Sequence, residues 1–136
     1  MIQAHADAVL AKLRAAVGSP ALVVYDGQVP EDPAPAYVVV YLHAETPELP
    51  DSRSVQGASE RFVVSVYCHC VGGAAVAARA VAQRVRGALL DVVLIVPGRR
   101  CFPVRHADSQ PPQRDETTGR LVMDQVDVYR LESVPA

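Results

Sequence analysis

The residues with the chemistry of metal ligands or nucleophiles are Cys68, His69 and Cys70 in one unbroken run, followed by Cys101 and His106. Thiolates and an imidazole hold zinc when three or four of them converge on one point. A thiolate beside an accessible histidine is the working pair of a cysteine hydrolase. The run RFVVSVYCHC (61–70) alternates, however. Phe62, Val64, Val66, Cys68 and Cys70 fall on one face of an extended chain, and Arg61, Val63, Ser65, Tyr67 and His69 on the other. His69 therefore points away from both cysteines, and one ion cannot take all three without breaking the strand. The pattern predicts core thiols. A small thiol- or metal-dependent enzyme using Cys68, Cys70 or Cys101 is the alternative.

The other titratable groups offer less. His5 falls on a helical segment and His43 at a strand end, and both are expected to be solvated. Glu31-Asp32 and Asp115-Glu116 are adjacent acids in polar loops, without the burial that general acid–base chemistry needs to raise a carboxyl pKa. Gly72-Gly73 precedes a helix, but no Lys-Ser/Thr follows, so it reads as a strand-to-helix turn and not as a phosphate cradle. Arg99-Arg100 at a predicted hairpin tip, and Arg53 and Arg61 flanking a long polar loop, are exposed guanidinium groups. Their planar forks suit carboxylates of a neighbouring chain, such as Glu45, Glu48, Asp115 or Glu116. The candidate subunit-interface residues are thus Arg53, Arg61, Arg99, Arg100, Asp115 and Glu116. No catalytic, cofactor or metal site is expected.

The elements that must position these residues follow from periodicity. Ile2, Ala6, Val9, Leu10, Leu13, Ala16 and Val17 recur at helical spacing over 2–17, ending at Gly18-Ser19-Pro20. ALVVY (21–25) is a short strand, followed by Asp26-Gly27 and a loop with Pro30, Pro33 and Pro35. YVVVYLH (37–43) is nearly all apolar, which predicts a strand covered by a helix on one face and by another layer or subunit on the other. Residues 44–60 form a long polar loop. After the strand over 61–70, a helix over 74–90 turns Ala77, Ala78, Val81, Val85, Ala88 and Leu89 to one side. VVLIV (92–96) and a proline-interrupted strand over 101–107 are expected to make a hairpin. A second polar loop spans 108–120, a closing strand 121–131, and a frayed tail 132–136. The prediction is one α+β domain spanning 1–136, in the order α-β-β-β-α-β-β-β, with both helices on one mostly antiparallel sheet.

Composition sets the outer limits. The chain has 136 residues, is 50% hydrophobic and carries a formal net charge of -2. That fits a globular domain and excludes collagen-like, coiled-coil and wholly disordered chains. No basic excess favours nucleic acid. No apolar run approaches the ~20 residues of a membrane span, and the N-terminus lacks the pattern of an export signal. With an odd three cysteines, no disulfide framework is expected, and a reducing compartment is the default. Lys12 is the single lysine among the cations, which reads as codon bias.

Against that background, Val24-Tyr25-Asp26-Gly27-Gln28-Val29-Pro30 followed by Pro35-Ala36-Tyr37-Val38-Val39-Val40 resembles the early strand-turn-strand of the tail terminator (tail completion) proteins of long-tailed bacteriophages. The order that follows is similar too: a polar loop, RFVVSVYCHC, a helix with Ala77, Val81, Arg84 and Leu89, an acidic loop ending in Thr118-Gly119-Arg120, and a last strand with Asp127-Val128-Tyr129. The resemblance spans about residues 2–131 and brings no catalytic residues. It implies a structural subunit of the virion tail, assembled in the host cytoplasm, that forms a hexameric ring on the end of the tail tube. Its expected partners are copies of itself, the tail tube protein and head-completion proteins, with no membrane. The long loops would line the lumen or meet neighbours, and DNA would pass through without specific binding.

Overall fold

The computed structural model describes residues 1–45, 61–117 and 119–136. The chain runs α1 (Ile2–Arg14), β1 (Val24–Asp26), β2 (Tyr37–Ala44), β3 (Phe62–Gly72), α2 (Ala75–Leu89), β4 (Arg99–Cys101), β5 (Arg105–Ser109), β6 (Gln113–Asp115) and β7 (Val122–Pro135). The strands form one sheet in the order β1-β2-β3-β7-β4, with β5 and β6 also laid along β7. This is the expected α+β class. The sheet is mixed, because the proline-punctuated stretch 27–36 returns the chain to the starting end of β1 and β2 then runs parallel to it. The other pairings are antiparallel.

Register explains the core. Cys70 pairs with Val38 and Gln125, Cys68 with Val40 and Asp127, Val66 with Leu42 and Tyr129, and Val64 with Ala44 and Leu131. Directly paired residues project to the same side, so one apolar surface crosses three strands. α1 buries His5, Ala6, Val9, Leu10 and Leu13 against it, and α2 buries Ala78, Val81, Ala82, Val85 and Leu89. Both stripes have the three-and-four spacing of an amphipathic helix. α2 can follow β3 this tightly because residue 72 is glycine: a Cβ there would lie 2.5 Å from the Ala77 Cβ.

The opposite face holds a second, smaller cluster of Tyr37, Val39, Val71 and Val122, with Val23, Tyr25 and Val29 packed on it. This accounts for the apolar run in β2. Tyr37–Val40 are buried on both faces, and from Tyr41 onward the strand alternates between exposed and half-buried.

Several expectations need correction. The helical ladder of α1 ends at Arg14, short of residue 17. The first strand begins at Val24, not at residue 21. VVLIV (92–96) forms no ladder, and the hairpin with 101–107 is absent. Pro103 has no N–H to donate, and the Phe102 N–H bonds Glu132 O on β7, which leaves Val104 as the link between the two segments. Arg99 and Arg100 consequently lie in β4 and not at a hairpin tip. The polar stretch 108–120 is not all loop, since it supplies the end of β5 and all of β6. The tail is not frayed: β7 continues to Pro135, held by Phe62 opposite Ser133 and by β4.

His5, expected on the surface, is wholly buried. Its Nδ1 donates to Met1 O at 2.9 Å, and its Nε2 accepts from the Ser133 hydroxyl at 2.8 Å. A carbonyl only accepts, which sets the tautomer. Ser133 reaches it from β7, on the face that α1 covers.

Candidate assembly surfaces

Cys68 and Cys70 sit wholly buried on the helix side of β3, and Cys101 is buried on β4. Burial pushes the Cys68 thiol up to about 12 and also raises those of Cys70 and Cys101. A thiolate there would lose its hydration, and the nearby Asp127 carboxylate adds repulsion at Cys68 and Cys70. These thiols stay protonated at neutral pH, so the enzyme alternative lacks the accessible thiolate it requires. His69 projects from the other face, as the alternation predicts. Among the described residues, no group of three or more His, Cys, Asp or Glu is placed to hold a metal ion.

A polar cluster on the helix-side face escaped the sequence reading. Asp127, buried, accepts from the Ser109 hydroxyl and from Gln125 Nε2 at 3.4 Å, and His106 Nε2 lies 3.9 Å from its Oδ1. The His106 ring meets Tyr129 edge-on at 5.3 Å between centroids. The Tyr129 hydroxyl, fully buried, has no hydrogen-bond partner among the described residues, and burial raises its pKa. The signal was present: Gln125, Asp127, Tyr129, Leu131 and Ser133 alternate along the closing strand, so a carboxylate in step with Leu131 had to be buried and bonded.

The outer face is wetter. His69 Nδ1 donates to Asp124 Oδ2 at 2.9 Å, and the Tyr41 ring packs edge-on against it. The bond to Asp124 raises the imidazole pKa over the opposing effect of burial. Towards the other end of β7, Arg130 Nε lies 3.1 Å from Glu132 and 3.9 Å from Glu45, and Arg61 Nη2 pairs with Glu132 at 2.5 Å. The arrangement binds strands together and leaves half-exposed apolar groups, Tyr67, Val126 and Val128, between the charges. It has the polar-with-aromatic make-up of a contact surface and, among the described residues, no reactive constellation.

Residues 6–128 match the family model described as "Tail completion protein gp17". The chain belongs to the tail completion protein family. Among the solved structures that share the fold are two that cover nearly the whole chain. One is a chain of the "Virion of native gene transfer agent (GTA) particle", 21% identical, with a TM-score of 0.65 over 94% of this chain and 92% of that one. The other is 15% identical, with a TM-score of 0.71 over 98% of this chain and 95% of that one. No curated protein sequence matches. The likeness to phage tail terminators drawn from the sequence therefore stands at the level of family and fold: this is a structural protein of a phage-type virion tail.

In this tail completion protein the candidate interface residues lie in separate places. Arg61 is brought to one end of the outer face, beside Glu132, Arg130 and Glu45. Arg99 folds back on β7, where its Nε donates to Ser133 Oγ at 3.1 Å and its Nη2 to Ser133 O at 3.0 Å. Arg100, beside it, is exposed. Asp115 on β6 accepts from the Thr117 backbone N–H and hydroxyl, bonds that hold its carboxyl below the ordinary range. Glu116 pairs with Arg114 at 3.0 Å. Arg53 and Glu48, with most of the first polar loop, lie outside the described residues. Among the described residues, no helix is long and apolar enough to cross a membrane.

Proposed function

We propose that this chain, acting as one domain, closes with its own copies into a hexameric ring on the end of a tail tube. The ring ends tube polymerisation and presents its far side to head-completion proteins. The observation that carries this reading is the family match over residues 6–128. The mechanism is geometric. A cyclic ring joins two different patches of neighbouring subunits, and rotation uses up every free end. One ring face imitates the next tube layer, and the other differs, so no further tube subunit adds.

The charged residues Arg53, Arg61, Arg100, Asp115 and Glu116 serve contacts between subunits or rings, as does Arg99 through the strand it braces. The two long polar stretches line the lumen or meet neighbours. With a formal net charge of -2, the chain gives DNA little reason to stick on its way through. Assembly takes place in the host cytoplasm. Mass measurement by light scattering, alone at high concentration and with tail tube protein, tests the reading. Hexamers or ring-capped tubes are expected, and a strict monomer under both conditions overturns it.

A further inference from the structure

Two unfilled features lie beside the outermost strands of the sheet. Residues 92–96 lead into β4 and alternate like a strand. Leu94 and Val96 are buried, whereas Val93 is 56% and Ile95 89% exposed. The segment is tied at its ends, where Val92 O accepts from Val104 N and Val96 O from Arg99 N. Between those ties, the backbone groups of Val93, Leu94 and Ile95 bond nothing among the described residues. An apolar, alternating run with unbound backbone is an open edge of the kind that pairs with another chain unless it is covered. A groove of about 260 Å³ also separates it from Ala8, Ala11 and Lys12 of α1 and from Ala15 just past the helix end, leaving that flank accessible. On the other outer strand, β1 pairs with β2 alone. Beside the approach to β1 opens a recess of about 290 Å³ walled by Ala21, Leu22, Pro35, Ala36, Val81 and Arg84. Arg84 donates to Pro20 O at 2.8 Å, which holds its guanidinium on the wall.

We infer that Val93–Ile95 of one copy docks on the β1 side of the next copy, with Ile95 seated in this recess and the backbone of the segment bonding the open side of β1. The inference rests on the ring reading above. A second copy is the occupant because the protrusion is apolar and the recess is apolar apart from the Arg84 guanidinium on its wall, both belong to this chain, and they flank opposite outer strands of one sheet. Such a pair joins head to tail and repeats around an axis, giving a ring where the rotation closes. A two-fold pair would have to seat both protrusions in both recesses at once, whereas a head-to-tail contact needs one of each. The added strand gains backbone bonds without displacing any existing pair.

Ile95→Asp changes a side chain that lies in water, so the variant folds. It is expected to weaken self-association on the order of 30-fold or more. Ala21→Glu, on the exposed rim of the recess, is expected to do the same. Mixing the two variants decides the geometry. Each keeps one intact half of the interface, so the mixture forms dimers and stops there, because the contact still to be made sets one introduced carboxylate against the other. Rings that form as readily from both variants as from the wild type overturn the docking and leave the ring reading standing. Failure of the mixture to pair also overturns the head-to-tail docking. A wild-type chain that stays monomeric even with tube protein overturns both.

Discussion

The two faces of the sheet are built from the same strands with the same alternation, yet they have become different materials. On the helix side, β3 and β7 present Val64, Val66, Cys68, Tyr129 and Leu131, all at 0% exposure. On the other side of the same strands, Tyr67, His69, Val126, Val128 and Arg130 are half-buried or exposed and partly tied by ion pairs, although Val63 and Ser65 near the start of β3 are buried. Neighbouring residues therefore carry opposite chemistry. The Cys68 and Cys70 thiols are buried and protonated, while the His69 imidazole between them is half-exposed and shifted towards its charged form. A run that looks like a ligand cluster in one dimension is divided by a sheet. The helix side supplies stability, and the outer side and the strand edges are where the proposed ring would make its contacts.

The contrast breaks most sharply through the helix side. Leu131→Ala removes a fully buried side chain from the main core and should cost about 3 kcal/mol in urea unfolding. Val128→Ala, on the same strand but the outer face and half-buried, should cost less than about 1.5 kcal/mol. Equal losses would mean that the outer face is as closely packed as the inner one. Next in size is Gly72→Ala. The new methyl would lie 2.5 Å from the Ala77 Cβ and 2.8 Å from the Ala78 nitrogen, so α2 must shift off the sheet at its first turn. A loss of about 2 kcal/mol is expected, with hydrogen exchange accelerated first at the N-terminal end of α2.

Much of this division was legible in sequence, and the remainder shows what periodicity leaves out. Alternation in 61–70 separates Cys68 and Cys70 from His69 because a strand with one buried face has a strongly specified phase. The apolar stripes of α1 and α2 are local in the same sense. Pairing is not local. VVLIV (92–96) has every strand propensity, but Phe102 bonds β7 instead of returning to it. Gln113–Asp115 have little such propensity, yet they form a strand because the long β7 offers them an open edge. His5 looks solvated beside Asp7 and Gln3 until Ser133 meets it from a position 128 residues away. The assembly surfaces are the least legible part, since an interface carries no period and its partner lies outside the chain.

The smallest effect sharpens the outer side of the comparison. His69 gains a carboxylate partner in Asp124, which raises its folded-state pKa above the ordinary 6.5. Its contribution to stability is fully present below that ordinary value, where the imidazole is charged whether or not the chain is folded. It declines as pH rises through the raised value and the folded protein gives up the proton. The pair is partly exposed, so the gain stays below about 1 kcal/mol. Wild type and His69→Gln should therefore differ most below the ordinary 6.5 and converge once pH has passed the raised folded-state value, when unfolding is followed across that range. The buried cysteines do not produce this signature, because both chains carry them and their contribution cancels in the difference. A stability difference that stays constant across the range would show that Asp124 holds His69 by a neutral hydrogen bond alone, with no charge on the imidazole to lose.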